Sequence, residues 1–164
     1  MTTKTISVQR VSVISKKRFE DVVTALEAAV GHPDMGAFWK DVRAAKTYPE
    51  MEKVIGRTLG PTGLMQFALY DHGQVVCKAH GEGTPKIVRF VIGNPLIMKQ
   101  MVEHVPDAGS YAPVTVLVDE RVDGVHLTYD TMTSFLAPYG NAAALKVAQE
   151  LDAKVETVMK KAAN

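Results

Sequence analysis

Residues 112–130 read APVTVLVDERVDGVHLTYD, and this stretch does most to decide the fold. Two runs rich in β-branched residues, 114–120 and 125–129, flank the tripeptide Val122-Asp123-Gly124. Asp-Gly is a strong signal for a β-hairpin because both residues tolerate the positive φ angles of a tight turn. Strands joined by a tight turn pair in opposite directions, so this stretch predicts the antiparallel core of a sheet.

Further strands are predicted upstream of this hairpin from other runs of β-branched and aromatic residues. They cover residues 4–14, 64–70, 75–79 and 86–92. The second and third of these are joined by Asp71-His72-Gly73, whose composition is typical of a turn. The family resemblance described below also allows a helix at residues 75–79.

Apolar residues recur at helical spacing in residues 16–30, 95–104 and 141–161, which predicts three amphipathic helices. Asn141 is the expected N-cap of the last helix. Residues 32–47 are expected to form a short helix or an irregular cover. Thr47 and Glu50 then have the spacing of a capping box at the start of one more helix.

These elements predict an α+β fold, because tight turns favour antiparallel pairing and the helices must bury their apolar faces. We expect a two-layer sandwich, with an antiparallel sheet of about five strands and helices mainly on one face. The 164 residues suit a single domain over 1–164, without a linker or an internal repeat.

Composition excludes several classes of function. The formal net charge is +1, which argues against nucleic acid as a partner. No stretch approaches the roughly 20 apolar residues of a membrane helix, and no signal peptide is evident. Cys77 is the one cysteine, so an internal disulfide is impossible and no oxidising compartment is indicated. We therefore expect a cytoplasmic protein.

Three pieces of the chain resemble the domain-of-unknown-function family 302, an uncharacterised bacterial family. They are Ile92-Gly93-Asn94-Pro95 and residues 112–118 and 123–130. The resemblance implies an antiparallel sheet with helices on one side, and a homodimer. Residues 32–62 look like a helical insertion. Many members have Cys-Asn-Pro where this chain has Gly93-Asn94-Pro95, so thiol chemistry cannot be carried over to it.

A ligand site is predicted where strand ends meet a helix start. Backbone N–H groups are free at a helix N-terminus and favour anions, so Gly93 and Asn94 are candidates. The alternative is that Asn94 simply caps the helix. Tyr111, Tyr129 and Asp130 lie near turns, and tyrosine rings suit a small-molecule pocket as well as a dimer interface.

Asp71 and His72 are candidates for acid–base catalysis, since histidine exchanges protons near neutral pH. The alternative is an ordinary turn, because neighbouring residues on a strand point to opposite faces. Cys77 and His80 are separated by a spacing that suits one metal, but no recognised metal-binding motif contains them. No metal site and no cofactor is predicted.

Three hypotheses of function follow. The domain binds a small apolar or anionic molecule in a pocket between sheet and helices. Alternatively, it is an enzyme that uses His72 and a nearby carboxylate in acid–base chemistry. In the third hypothesis it is a homo-oligomeric interaction module without a ligand. The first is favoured, because a sheet–helix sandwich encloses such pockets.

Overall fold

The computed structural model describes Met1, Thr3 and residues 5–164. Within these residues, five strands form one sheet in the order β1-β5-β4-β3-β2, and every neighbouring pair is antiparallel. The strands are β1 Arg10–Ser15, β2 Met65–Asp71, β3 Ile87–Gly93, β4 Val114–Arg121 and β5 Gly124–Asp130. The predicted α+β fold with an antiparallel sheet is therefore confirmed, and so is the β4–β5 hairpin.

Seven α-helices are present in the part of the chain that the structure describes. They are α1 Phe19–Ala29, α2 Met35–Ala44, α3 Tyr48–Gly56, α4 His72–His80, α5 Pro95–Val102, α6 Met132–Leu136 and α7 Ala142–Ala163. Helix α7 contacts α1, α5, α6 and strand β1, so it lies at the centre of the helical layer. Asn141 caps α7 as predicted, because its side chain accepts the backbone N–H of Ala144.

The main core follows the two-residue period of the strands. In β4 the buried apolar positions are Val114, Val116 and Val118, and β5 continues the same face with Leu127 and other buried residues. Their side chains pack against α1, α5 and α7 and form the largest buried cluster. Intervening residues such as Thr115 and Thr128 lie on the opposite face, which therefore carries polar and charged groups.

A second cluster joins α2 and α3 to β2. Its buried members are Phe38, Ile55 and Met65. The prediction of a short helix within residues 32–47 is confirmed by α2. The capping box predicted before α3 is only half formed, because Thr47 accepts the N–H of Glu50 but the Glu50 carboxylate accepts the N–H of Lys46.

The prediction of a strand at residues 75–79 is wrong, because these residues belong to α4. The Asp71 carboxylate accepts the N–H of Gln74 at 2.9 Å and caps this helix, so the chain turns into α4 directly after β2. Val75 is 71% exposed, so its β-branched side chain supplies no buried strand face. The first strand begins at Arg10 rather than at residue 4, and Lys4 lies outside the described residues.

Candidate ligand-binding site

An apolar cavity of about 220 Å³ lies at the end of the sheet, where β3 leads into α5 and the chain enters β4. Apart from Gly93 and Asn94, every residue around it has an apolar side chain. The cavity is lined by Trp39, Phe67, Gly93, Asn94, Pro95, Ile97, Met98, Met101, Ala112, Pro113, Val114 and Leu151. The main core, helix α2 and the residues just before β4 therefore all contribute to one pocket.

Asn94 holds the junction between β3 and α5. Its side-chain oxygen accepts the N–H of Leu96 at 2.8 Å, and its side-chain nitrogen donates to the carbonyl of Gly63 at 3.0 Å. Asn94 is therefore the N-cap of α5. Because the carboxamide is bonded at both ends to backbone, Asn94 positions the cavity wall rather than presenting a free polar group.

Gly93 keeps the cavity open. A Cβ atom at this position would lie 3.3 Å from the Pro113 Cβ and 3.5 Å from the Phe67 Cε2. Both neighbours line the cavity, so any larger side chain at residue 93 would project among the lining groups. A cysteine here would occupy part of this space.

Trp39 forms part of the cavity rim and is 41% exposed. Its ring packs edge to face on Phe38, with the centroids 4.9 Å apart, and Phe38 belongs to the second cluster. Sequence reasoning missed Trp39, Phe67 and Met101 as site residues. The available signal was that the single tryptophan of the chain lies in the segment predicted to form a short helix or irregular cover.

Tyr129 is buried away from this cavity, with 1% of its surface exposed. Its hydroxyl donates to the Asp152 carboxylate at 2.6 Å and accepts the N–H of Met132 at 3.2 Å. Burial, reinforced by the charge of Asp152, raises the pKa of Tyr129 far above its usual range. Tyr129 therefore belongs to an internal network that is closed to a ligand.

Tyr111 and Asp130 line a separate small groove together with Arg89. Asp130 forms a bidentate ion pair with Arg10, at 2.6 and 2.8 Å, and the hydrogen bonds from this guanidinium lower the pKa of the Asp130 carboxyl. Tyr111 stacks on Phe135, with the ring centroids 4.6 Å apart. The five predicted ligand-binding residues are thus divided among three separate places.

Asp71 and His72 mark the start of α4 and do not line the cavity. His72 is exposed, and its ring is stacked with that of Tyr70 at 6.3 Å between centroids.

No group of three metal-binding side chains comes together among the described residues. None of the described helices is long and apolar enough to span a bilayer.

Comparison with known families decides the classification. The sequence model of domain of unknown function DUF302 matches residues 40–162. The chain belongs to this family. A crystal structure of an uncharacterised conserved DUF302 protein from Bacillus stearothermophilus is similar in fold, with a TM-score of 0.65 at 8% sequence identity. The similarity covers 93% of this chain and 97% of that one. A search of curated proteins finds no match.

The double bonding of Asn94 leads to a first prediction. Asn94→Ala is expected to lower the free energy of unfolding by about 2 kcal/mol, because it removes a helix cap and leaves the Gly63 carbonyl without its donor. Urea unfolding followed by circular dichroism measures this change. Asn141→Ala is the matched control, since Asn141 makes one side-chain bond and should cost about 1 kcal/mol. Equal losses in the two variants would contradict the anchoring role of Asn94.

Proposed function

We propose that this DUF302 domain binds a small apolar molecule in the cavity beside Asn94. The observation that carries the proposal is the cavity itself, about 220 Å³ in volume and lined almost wholly by apolar side chains. An apolar protein cavity of about 150 Å³ is large enough to take up benzene. A ligand of that size or somewhat larger therefore fits without rearrangement of the core.

The polar groups near the cavity favour an apolar ligand over an anion. Pro95 has no N–H, the N–H of Leu96 is bonded to the Asn94 side chain, and that of Met98 is bonded to the Asn94 carbonyl. Among the described residues of this first turn, only the N–H of Ile97 has no bonded partner, so the start of α5 offers a charged group a single donor. A ligand gains instead from leaving water and from dispersion contacts with Met98, Met101 and Trp39.

Trp39 provides a direct test, because it is the only tryptophan and lies at the cavity rim. Addition of toluene to the wild-type protein is expected to change the tryptophan fluorescence saturably and to raise the melting temperature. Ala112→Leu adds three carbon atoms to the cavity wall and is expected to weaken toluene binding at least tenfold. Thermal melting of the variant without toluene verifies that it still folds.

Ala143→Leu is the matched control, since Ala143 is an exposed residue of α7 outside the cavity. It should leave toluene affinity unchanged. A fluorescence change that rises linearly with toluene, or an equal affinity in the Ala112 variant and the wild type, would show that the cavity does not bind the probe.

We also propose, from the family resemblance, that the chain forms a homodimer. Large apolar side chains are exposed along β2 and α4, which supports an association surface there: Leu69 is 38%, Tyr70 51% and Val75 71% exposed. Strand β2 is an edge strand, and such strands can pair with a second chain. Leu69, Tyr70 and Val75 do not line the apolar cavity, although β2 also contributes Phe67 to its wall.

A further inference from the structure

The face of the sheet that the main helical layer leaves uncovered carries a groove of about 340 Å³. It is separate from the apolar cavity and lies across β1, β5, β4 and β3. Its lining is mostly polar and includes three arginines, one from each of β1, β3 and β4. We call it the open-face groove, and its polar residues are Arg10, Arg89, Arg121, Ser12, Thr115, Thr128 and the carboxylate Asp130.

Two of the three arginines are neutralised within the chain. Arg10 is paired with Asp130, and Arg121 is paired with Asp119. Among the described residues, no carboxylate lies within ion-pair distance of Arg89 and no acceptor is bonded to its guanidinium. Arg89 is exposed, so it presents a free cation at the β3 side of the groove.

The strand register places hydroxyl groups near this cation. Arg89 is paired with Leu117 of β4, and Leu117 with Thr128 of β5. Thr115 shares the face of Leu117 two residues away, which makes it a diagonal neighbour of Arg89 at about 7 Å between Cα atoms. Threonine hydroxyls donate to oxyanions, so the surroundings of Arg89 are suited to an anion.

An aromatic surface adjoins the same position. A smaller groove of about 200 Å³ shares Arg89, Thr115 and Asp130 with the open-face groove and adds Tyr111 and Phe135. The rings of these two aromatics are stacked, with an interplanar angle of 9°. A planar ring bound here would extend this stack, while its charged group meets Arg89.

We infer that Arg89 is the anchor of a binding site for a small organic anion that carries a planar ring, either a carboxylate or a phosphate ester. A guanidinium matches both anions through two parallel N–H···O bonds. Thr115 adds a hydroxyl donor, and Tyr111 with Phe135 receives the ring. A polyanion such as nucleic acid is disfavoured, because it requires several free cations and Arg89 is the one unpaired cation among the described residues that line the groove.

Isothermal titration of the full chain with benzoate and with phenyl phosphate tests the inference, with benzamide as the neutral probe of similar shape. At least one anion is expected to bind saturably, and benzamide is not. Arg89→Gln should weaken that binding at least tenfold, and Thr115→Val several-fold. Arg43→Gln is the matched control, because it removes the same charge from an exposed position on α2 and should leave affinity unchanged.

Several outcomes would overturn the inference. Equal losses of affinity in the Arg89 and Arg43 variants would show that overall charge is responsible. Absence of binding by both anions to a folded wild-type protein would exclude the site. A change of mass in light scattering for Arg89→Gln, without a change in anion affinity, would assign this face to a second copy of the chain. Toluene binding is unaffected in every case, because Arg89 does not line the apolar cavity.

Discussion

Replacement of Asp152 by alanine is expected to lower the free energy of unfolding by about 4 kcal/mol. Asp152 belongs to α7 and is 6% exposed. Its carboxylate accepts the Tyr129 hydroxyl at 2.6 Å, the N–H of Met132 at 2.8 Å and the N–H of Thr133 at 2.9 Å. Alanine removes all three bonds and leaves buried donors without an acceptor, which costs more than losing the bonds alone.

The two backbone donors explain why this carboxylate has such a large effect. Met132 and Thr133 begin helix α6, whose first N–H groups have no partner within the helix. Asp152 therefore caps α6 from a distance and fixes α6 against α7, while Tyr129 ties the same carboxylate to β5. One side chain thus joins three elements around the main core.

The contribution of this network to the free energy of unfolding is measured by urea unfolding of Asp152→Ala, Tyr129→Phe and the double variant. Tyr129→Phe should cost about 1.5 kcal/mol, because Asp152 keeps its two backbone donors. The double variant should lose less than the sum of the single losses, as expected for residues in contact. Glu150→Ala, an exposed change on the same helix, should stay within about 0.5 kcal/mol of the wild type. A loss below about 1 kcal/mol for Asp152→Ala would show that the network contributes little.

The hairpin was predictable because two independent signals agree there. Alternation of apolar residues in β4 and β5 fixes which face is buried, and the predicted turn lies at Val122-Asp123, with Gly124 at a positive φ paired to Arg121. Sequence signals of the same kind gave the wrong prediction after β2, where residues 75–79 were expected to form a strand. Val75 and Val76 favour a strand by propensity, but the cap supplied by Asp71 starts a helix at once, and propensity is a weak influence beside local hydrogen bonding.

The candidate site was only partly predictable, since its wall is assembled from distant segments. Gly93 and Asn94 could be predicted from the sequence, because a strand end followed by proline marks a helix start. Phe67 reaches the cavity from the β-bulge between Gln66 and Ala68, where the register of β2 shifts by one residue. A bulge has no simple sequence signal, and the position of Trp39 depends on how α2 packs on β2.

Strand geometry accounts for the separation of Tyr129 from Asp130. Neighbouring residues on a strand point to opposite faces, so the tyrosine enters the core and the aspartate lies on the open face. This argument was available from the predicted strand alone. By contrast, the pairing of Tyr129 with Asp152 joins residues 23 positions apart, and no local pattern indicates it.

Gly31→Ala is expected to destabilise the protein by at least about 4 kcal/mol, because the new methyl group has no space and the backbone must move. A Cβ at residue 31 would lie 1.8 Å from the Thr58 carbonyl oxygen. Gly31 also donates to the carbonyl of Leu64 at 2.9 Å and accepts the N–H of Gln66 at 2.8 Å. These bonds attach the segment after α1 to the start of β2.

The expected loss follows from the rigidity of both neighbours. Thr58 cannot withdraw freely, because it precedes Gly60, whose N–H shares the Leu64 carbonyl with Gly31. Gly56→Ala provides the control, since a Cβ there meets nothing within 4 Å, and because alanine favours the helix it should raise stability by up to about 1 kcal/mol. Thermal and urea unfolding compare the two variants. A Gly31 variant as stable as the Gly56 variant would show that residues 31 and 58 can move apart with little loss of stability. The attachment of α2 and α3 to the sheet would then not depend on this close approach.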